Sequence, residues 1–230
     1  MKKLIIAIDG PAGSGKSTIG KMLAERLGYI HLSTGAIYRA IGWKAQQAGI
    51  PFTDLPALLR LIAQTTIEFE PQRGGENRVV VDGQDVTELL ATNEVGKLAS
   101  AVAAIPEVRQ GLLALQRRAG EPGGVVLDGR DIGTVVFPDA EVKFYLDASP
   151  GERAQRRCQQ LARQGLAADL AQLLEDIRKR DANDSARASA PLRQAADAIY
   201  IDSTALTLED VVAMMVTEVK KHEFPLTRQC

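Results

Sequence analysis

The chain has 230 residues, 45% hydrophobic and 25% charged, with 20 glycines and 10 prolines; it is long enough to bury a sizeable core, and its composition excludes general disorder. A net charge of −1 and a pI of about 6.2 exclude a global basic field for a nucleic-acid backbone, so any anion must be held by local groups. The two cysteines, Cys158 inside a charged helical pattern and Cys230 at the last position, offer neither a disulfide framework nor metal-ligand spacing.

In chain order, Met1-Lys2-Lys3 precedes an aliphatic run, Leu4 to Ile8, that Asp9 cuts to five residues. That is too short for a signal h-region, and no stretch approaches the roughly 18 apolar residues of a membrane span. A soluble cytoplasmic protein is the expectation. The run reads as a strand, and Lys16 to Leu27 reads as a helix with Ile19, Met22, Leu23 and Leu27 on one face and Gly28 as C-cap. Between them lies Gly10-Pro11-Ala12-Gly13-Ser14-Gly15-Lys16-Ser17, which satisfies Gly-x4-Gly-Lys-Ser. Chance would give that match about once in a hundred chains of this length. Glycines let backbone N–H groups face phosphate oxygens, and the helix N-terminus adds its dipole. Lys16 neutralises β/γ charge and Ser17 ligates Mg²⁺. Gly10 to Thr18 is therefore the predicted ATP site.

Thr34-Gly35-Ala36-Ile37-Tyr38-Arg39 follows a second strand, placing Arg39 about one turn into a helix, where either a solvated or a ligand arginine fits. Thr66 to Glu70 alternates polar and apolar, Arg73 to Asn77 reads as a turn, Arg78 to Val81 as a strand, and Asp82-Gly83 as a hairpin turn before Asp85-Val86. This is a small antiparallel meander inserted into an α/β chain. Helical patterns run from about Asn93 to Ala104 and, from Pro106 at N1, to about Arg118. Short apolar runs at Val125 to Leu127, Val142 to Leu146 and Ala198 to Ile201 are each followed by Asp and a helical segment. Such β-α alternation predicts a parallel sheet covered by helices, with ligands at the carboxyl ends of its strands.

Asp128-Gly129-Arg130-Asp131-Ile132-Gly133 directly follows one such strand, which puts Arg130 and Asp131 at the predicted crevice. Arg153, Arg156, Arg157 and Arg163 fall along one helix face after Ser149-Pro150, as a cationic lid would; Glu152 pairs with Arg156 at i,i+4, as an ordinary solvated face would. Arg180, Asp184 and Arg187 repeat at i, i+4 and i+7, an order poorly suited to stabilising a helix. Phosphoryl transfer is mainly positioning plus cations, and guanidinium forks match phosphate geometry. Arginines beyond those a donor needs point to a phosphorylated acceptor. A GTPase would need Asn-Lys-x-Asp and Asp-x-x-Gly strings, and neither occurs.

The P-loop, Leu32-Ser33-Thr34-Gly35-Ala36-Ile37-Tyr38-Arg39, Asp128 to Pro138, and Arg180-Asp181-x-x-Asp184-x-x-Arg187 together resemble the bacterial cytidylate kinases, from about Lys3 to Val219. The resemblance implies an α/β fold with a five-stranded parallel sheet flanked by helices. It implies one domain over 1–230, containing an inserted monophosphate-binding arm at 35–110 that holds the meander, and a short lid at 150–166. It further implies transfer of the γ-phosphoryl group of ATP, with Mg²⁺, to CMP and dCMP by a monomer that binds no nucleic acid or membrane. Carried over by position, Lys16, Arg130, Arg180 and Arg187 are catalytic, and Arg153 and Arg157 reach ATP. Arg39, Arg130 and Arg187 hold the CMP phosphate, Arg180 and Asp184 the ribose, and Ser100, Arg109 and Asp131 the cytosine, with Thr34 beside them. Ser33 stands where members of the family commonly carry Asp. The rival readings are a kinase for AMP, UMP or shikimate and a non-catalytic nucleotide-binding regulator.

Overall fold

The computed structural model describes residues 3–70, 77–163 and 165–223. Strand β1 (Ile5–Asp9) leads through the glycine-rich loop into α1 (Lys16–Leu27), which Gly28 ends at φ 66°. Then come β2 (Ile30–Ser33), α2 (Thr34–Gln47) and α3 (Leu55–Gln64). Strands β3 (Ile67–Glu70), β4 (Arg78–Val81) and β5 (Gln84–Asp85) precede α4 (Thr87–Leu90), α5 (Asn93–Val102) and α6 (Pro106–Gly120). Strand β6 (Val125–Gly129) runs into a π-helical turn over Ile132–Val136. Last come β7 (Val142–Asp147), α7 (Pro150–Arg163), α8 (Leu170–Ser185), β8 (Ile199–Asp202) and α9 (Leu208–Glu223).

Five strands form one parallel sheet in the order β2-β6-β1-β7-β8. Their runs are apolar on both faces because both faces are covered: α1 and α9 close a core with Ile6, Ile8, Phe144, Leu146 and Ile201, while Ala7, Leu127, Ile132 and Val136 fill the other side. Parallel pairing brings every carboxyl end to one edge. There Ser33 pairs with Asp128, and Asp9 with both Gly129 and Tyr145.

The predicted meander is an antiparallel three-stranded sheet, β3-β4-β5, with Asp82 (φ 50°) and Gly83 (φ 81°) at its turn. With α2, α3, α5 and α6 it closes a second core around Ile41, Leu58, Val81, Val102 and Leu112. The strongly amphipathic α3, which the sequence reading passes over, is capped by Asp54, whose side chain accepts from the Ala57 N–H. The turn expected at Arg73 to Asn77 lies outside the described residues, apart from Asn77, as do Met1, Lys2, Gln164 in the lid range, and Cys230. Among the described residues no single helix is long and apolar enough to cross a membrane.

One expectation needs correction. The segment after β6 is not an ordinary α-helix but a π turn, with Val136 N–H donating to Asp131 O (3.1 Å) and Phe137 N–H to Ile132 O (2.7 Å). Asp9 accepts from the backbone N–H of Ile132 and of Gly133, both at 2.8 Å, which satisfies the first two orphan donors of that turn and holds its start against the end of β1.

Candidate active site

The glycine-rich loop joins the central strand to α1. Gly10 has φ 151°, and a Cβ there would come within 2.0 Å of Leu146 O, so only glycine lets β1 turn beside β7. Gly13 and Gly15 also have positive φ, and Gly15 opens α1 without a side-chain cap, leaving that helix end to a ligand. Lys16 is buried, its Nζ donating to Pro11 O (2.5 Å) and Ser14 Oγ (3.3 Å). Burial, then Arg130, hold its pKa well below the ordinary lysine value, with Asp128 and Asp9 pulling the other way. An arriving polyanion would restore that charge. Ser17 and Thr18 face outward at the mouth of the loop.

Ser17 Oγ donates to Asp128 Oδ2 at 3.1 Å. Asp128 is buried at the carboxyl end of β6 and also lies 2.7 Å from His31 Nε2, with Ser33 Oγ at 3.4 Å. Burial pushes its carboxyl up, but the His31 hydrogen bond leads the groups that bring it below the usual range. Sequence reasoning gives Asp128 and His31 no role. The available signal is positional: Asp128 is the first polar residue after an aliphatic strand that pairs with β1. Thr34 spends its hydroxyl on Asp128 O at 2.9 Å.

Facing the loop are arginines from four elements. Arg130 Nε donates to Asp184 Oδ2 (2.9 Å), and Arg187 Nη2 donates to the other oxygen (2.5 Å), so one α8 carboxylate holds two guanidinium groups. Burial alone would raise Asp184; Arg130 and Arg187 outweigh it and lower it. Arg180 has its pKa lowered to about 10 by burial and then by Arg130, and its buried Nε has no hydrogen-bond partner. Arg39 donates to Leu90 O (2.6 Å) and Thr92 O (3.1 Å), which ties α2 to the entrance of α5. Arg109 and Asp131 form a buried ion pair, with the Arg109 guanidinium 5.3 Å above the Tyr38 ring. They line a cleft with Tyr38, Gln116, Ser189 and Ala190, while Ser100 stands half-buried on α5.

The four arginines of α7 are not equivalent. Arg153 is 3% exposed, grips Asp181 of α8 with both terminal nitrogens, and donates to Ala12 O of the loop at 2.9 Å. Arg156 pairs with Glu152 (2.8 Å), as its spacing suggests, and also reaches Ser203 O at 2.6 Å. Arg157 reaches across to Asn93 on α5. A simple solvated face does not describe this helix.

A phosphate loop on a parallel sheet, with a second cluster of guanidinium groups opposite it, is the arrangement of a P-loop kinase that takes two anionic substrates. The sequence comparisons sharpen that class. A profile of the Cytidylate kinase family matches residues 6–221, and the chain belongs to that family. A protein named cytidylate kinase from Citrifermentans bemidjiense is 50% identical over 219 residues, covering 95% of this chain and 93% of its own. One of the same name from Geobacter sp. strain M21 is 51% identical over the same coverage. In fold alone, the chain resembles the crystal structure of an uncharacterized protein from Eubacterium ventriosum, with a TM-score of 0.51 at 15% identity over 96% of this chain and 99% of the other.

Proposed function

We propose that the chain transfers the γ-phosphoryl group of ATP to CMP or dCMP, giving ADP and CDP or dCDP, as a monomer in the cytoplasm. The observation that carries this is Arg180: a guanidinium buried beside Arg130 with its Nε unpaired, next to the phosphate-loop lysine. Such a group is unfavourable until an anion arrives. It is better explained by a second phosphorylated substrate than by folding.

In this reading the loop Gly10 to Ser17 cradles the triphosphate, and residues 150–166 form the lid whose Arg153 and Arg157 complete the donor site. Residues 35–110 form the acceptor arm. Arg39, Arg130 and Arg187 hold the CMP phosphate, Arg180 and Asp184 the ribose, and Arg109, Asp131 and Ser100 the base. The acceptor oxygen is itself nucleophilic, so no strong general base is needed. The protein aligns it, neutralises the equatorial oxygens with Lys16, Arg130, Arg180 and Arg187, and excludes water.

The donor set also suits Mg²⁺, a hard cation that keeps several waters and takes one or two carboxylates plus substrate phosphates. The Ser17 hydroxyl and the Asp128 carboxylate supply such oxygens at the mouth of the loop. Ser17 would ligate it, with Asp128 behind, and the ion would supply charge neutralisation to the phosphates of the donor.

A coupled ADP-release assay across AMP, GMP, CMP, UMP and dCMP tests the reading. Turnover is expected with CMP and dCMP, and the other acceptors should fall at least about tenfold behind in kcat/KM. A preference for AMP would sink the assignment.

A further inference from the structure

His31 lies on β2 and its ring reaches toward β6. Its Nε2 is 2.7 Å from Asp128 Oδ1, and because an ionised carboxylate only accepts, that nitrogen carries the proton. The other carboxylate oxygen takes the Ser17 hydroxyl at 3.1 Å and the Ser33 hydroxyl at 3.4 Å. A Ser17 hydroxyl whose proton points at Asp128 turns its lone pairs away, toward the open side of the loop.

The imidazole occupies a built place. Gly20, buried inside α1, stands against the ring: a Cβ there would meet His31 Cδ2 at 2.9 Å and Nε2 at 3.0 Å. Glycine within a helix costs stability relative to alanine, so helix formation does not account for this residue. From the other direction, the Asn77 amide donates to the His31 carbonyl. The space beside Gly20 thus admits the ring, and Asn77 holds the backbone that carries it.

We propose that His31 is a positioning residue: it fixes the Asp128 carboxylate so that the Ser17 hydroxyl presents its oxygen to the divalent cation accompanying the phosphoryl donor. The inference rests on the metal reading above and adds the residue that sets its geometry. Partners of this outer kind usually change metal affinity or activity by about 10- to 100-fold when removed.

The test is calorimetric titration of ADP into the full chain, in excess MgCl₂ and in chelator, for wild type, H31L, H31Q, G20A and G20A/H31L. In wild type, Mg²⁺ should strengthen ADP binding. H31L should lose about tenfold of that gain while binding ADP in chelator as wild type does. H31Q keeps an N–H donor of similar reach and should recover most of the gain. G20A should reduce it by displacing the ring, yet add no further loss in the H31L background, where it should raise the melting temperature. H31L with the full Mg²⁺ gain overturns the inference, as does equal loss with and without metal, or H31Q no better than H31L. If H31L does not fold, G20A and H31Q decide: a full gain in G20A overturns the inference, and loss there with retention in H31Q supports it. A wild type without any Mg²⁺ gain overturns the metal reading itself, and this inference with it.

Discussion

The donor and acceptor halves of this crevice are built differently. The phosphate-cradling part of the donor half is one contiguous stretch, Gly10 to Thr18, shaped mainly by its own glycines and by the strand and helix on either side, with Arg153 of α7 donating to its Ala12 carbonyl. The acceptor half is assembled from α2, α6, the loop after β6, and α8, and its side chains are held by one another: Asp184 by Arg130 and Arg187, Asp131 by Arg109. A contiguous site can be read as a string, and damage to it stays local. An assembled site exists only once the sheet has formed, and removing one member releases its partners.

The largest effect should fall on the contiguous half. Lys16 is the buried cation of the loop, so Lys16→Met should lower kcat by at least about 10³ while the melting temperature holds or rises, because a desolvated charge is gone. Steady-state kinetics with thermal denaturation checks both halves of the statement. A near-normal rate would break the donor-site reading.

Next comes Arg180 in the assembled half. Burial and Arg130 both disfavour its charge in the ligand-free state, so Arg180→Met should stabilise the free protein while reducing kcat/KM for CMP by about 10²- to 10³-fold. Loss of stability together with activity would mean that Arg180 is structural, and would narrow the difference between the two halves.

These two sites differ in legibility as well as strength. The phosphate loop, the five-strand rhythm and the meander follow from local rules: glycine spacing, unbroken aliphatic runs, and Asp-Gly at a turn. Arg130 and Asp131 could be placed because a strand end precedes them. The Asp128–His31 contact could not, because it needs β2 to pair with β6 in one register, joining residues 97 positions apart. Likewise the start of the turn at Ile132–Val136 is anchored by Asp9, a residue 123 positions away that accepts from its first amide. The burial of Arg153 was hidden for the same reason, since Asp181 stands on another helix.

Asp9 joins the two halves: it precedes the phosphate loop and holds the loop that carries Arg130 and Asp131. Burial raises its pKa to about 6, with the Gly133 and Ile132 amides limiting the rise. Between about 4, where the unfolded carboxyl titrates, and about 6, the folded state binds more protons, so this contribution to stability is full at low pH and is lost as pH rises through 6. Relative to Asp9→Asn, wild type should therefore lose about 3 kcal/mol across that window, read from denaturant melts at several pH values. A flat difference would show that Asp9 is not the strained junction.

The smallest effect should fall on base choice. Cytosine presents a donor amine at C4 and an acceptor at N3; uracil presents the reverse, so an acceptor and a donor must stand opposite the base. Arg109 and Asp131 are that pair of types, buried together as an ion pair with Arg109 packed on Tyr38. UMP would leave each facing its own kind, at roughly 1–3 kcal/mol for each unsatisfied group. Asp131→Asn keeps the shape but adds a donor that can face the uracil carbonyl, and it removes the charge that steadies Arg109. CMP should therefore lose ground and UMP gain some, narrowing the CMP to UMP ratio in kcat/KM about tenfold. In an assembled site this change should also weaken the free protein, because Arg109 loses its counter-charge. Lower stability with an unchanged ratio would make Asp131 a holder of Arg109 rather than a reader of the base, leaving discrimination to Arg109 and Ser100.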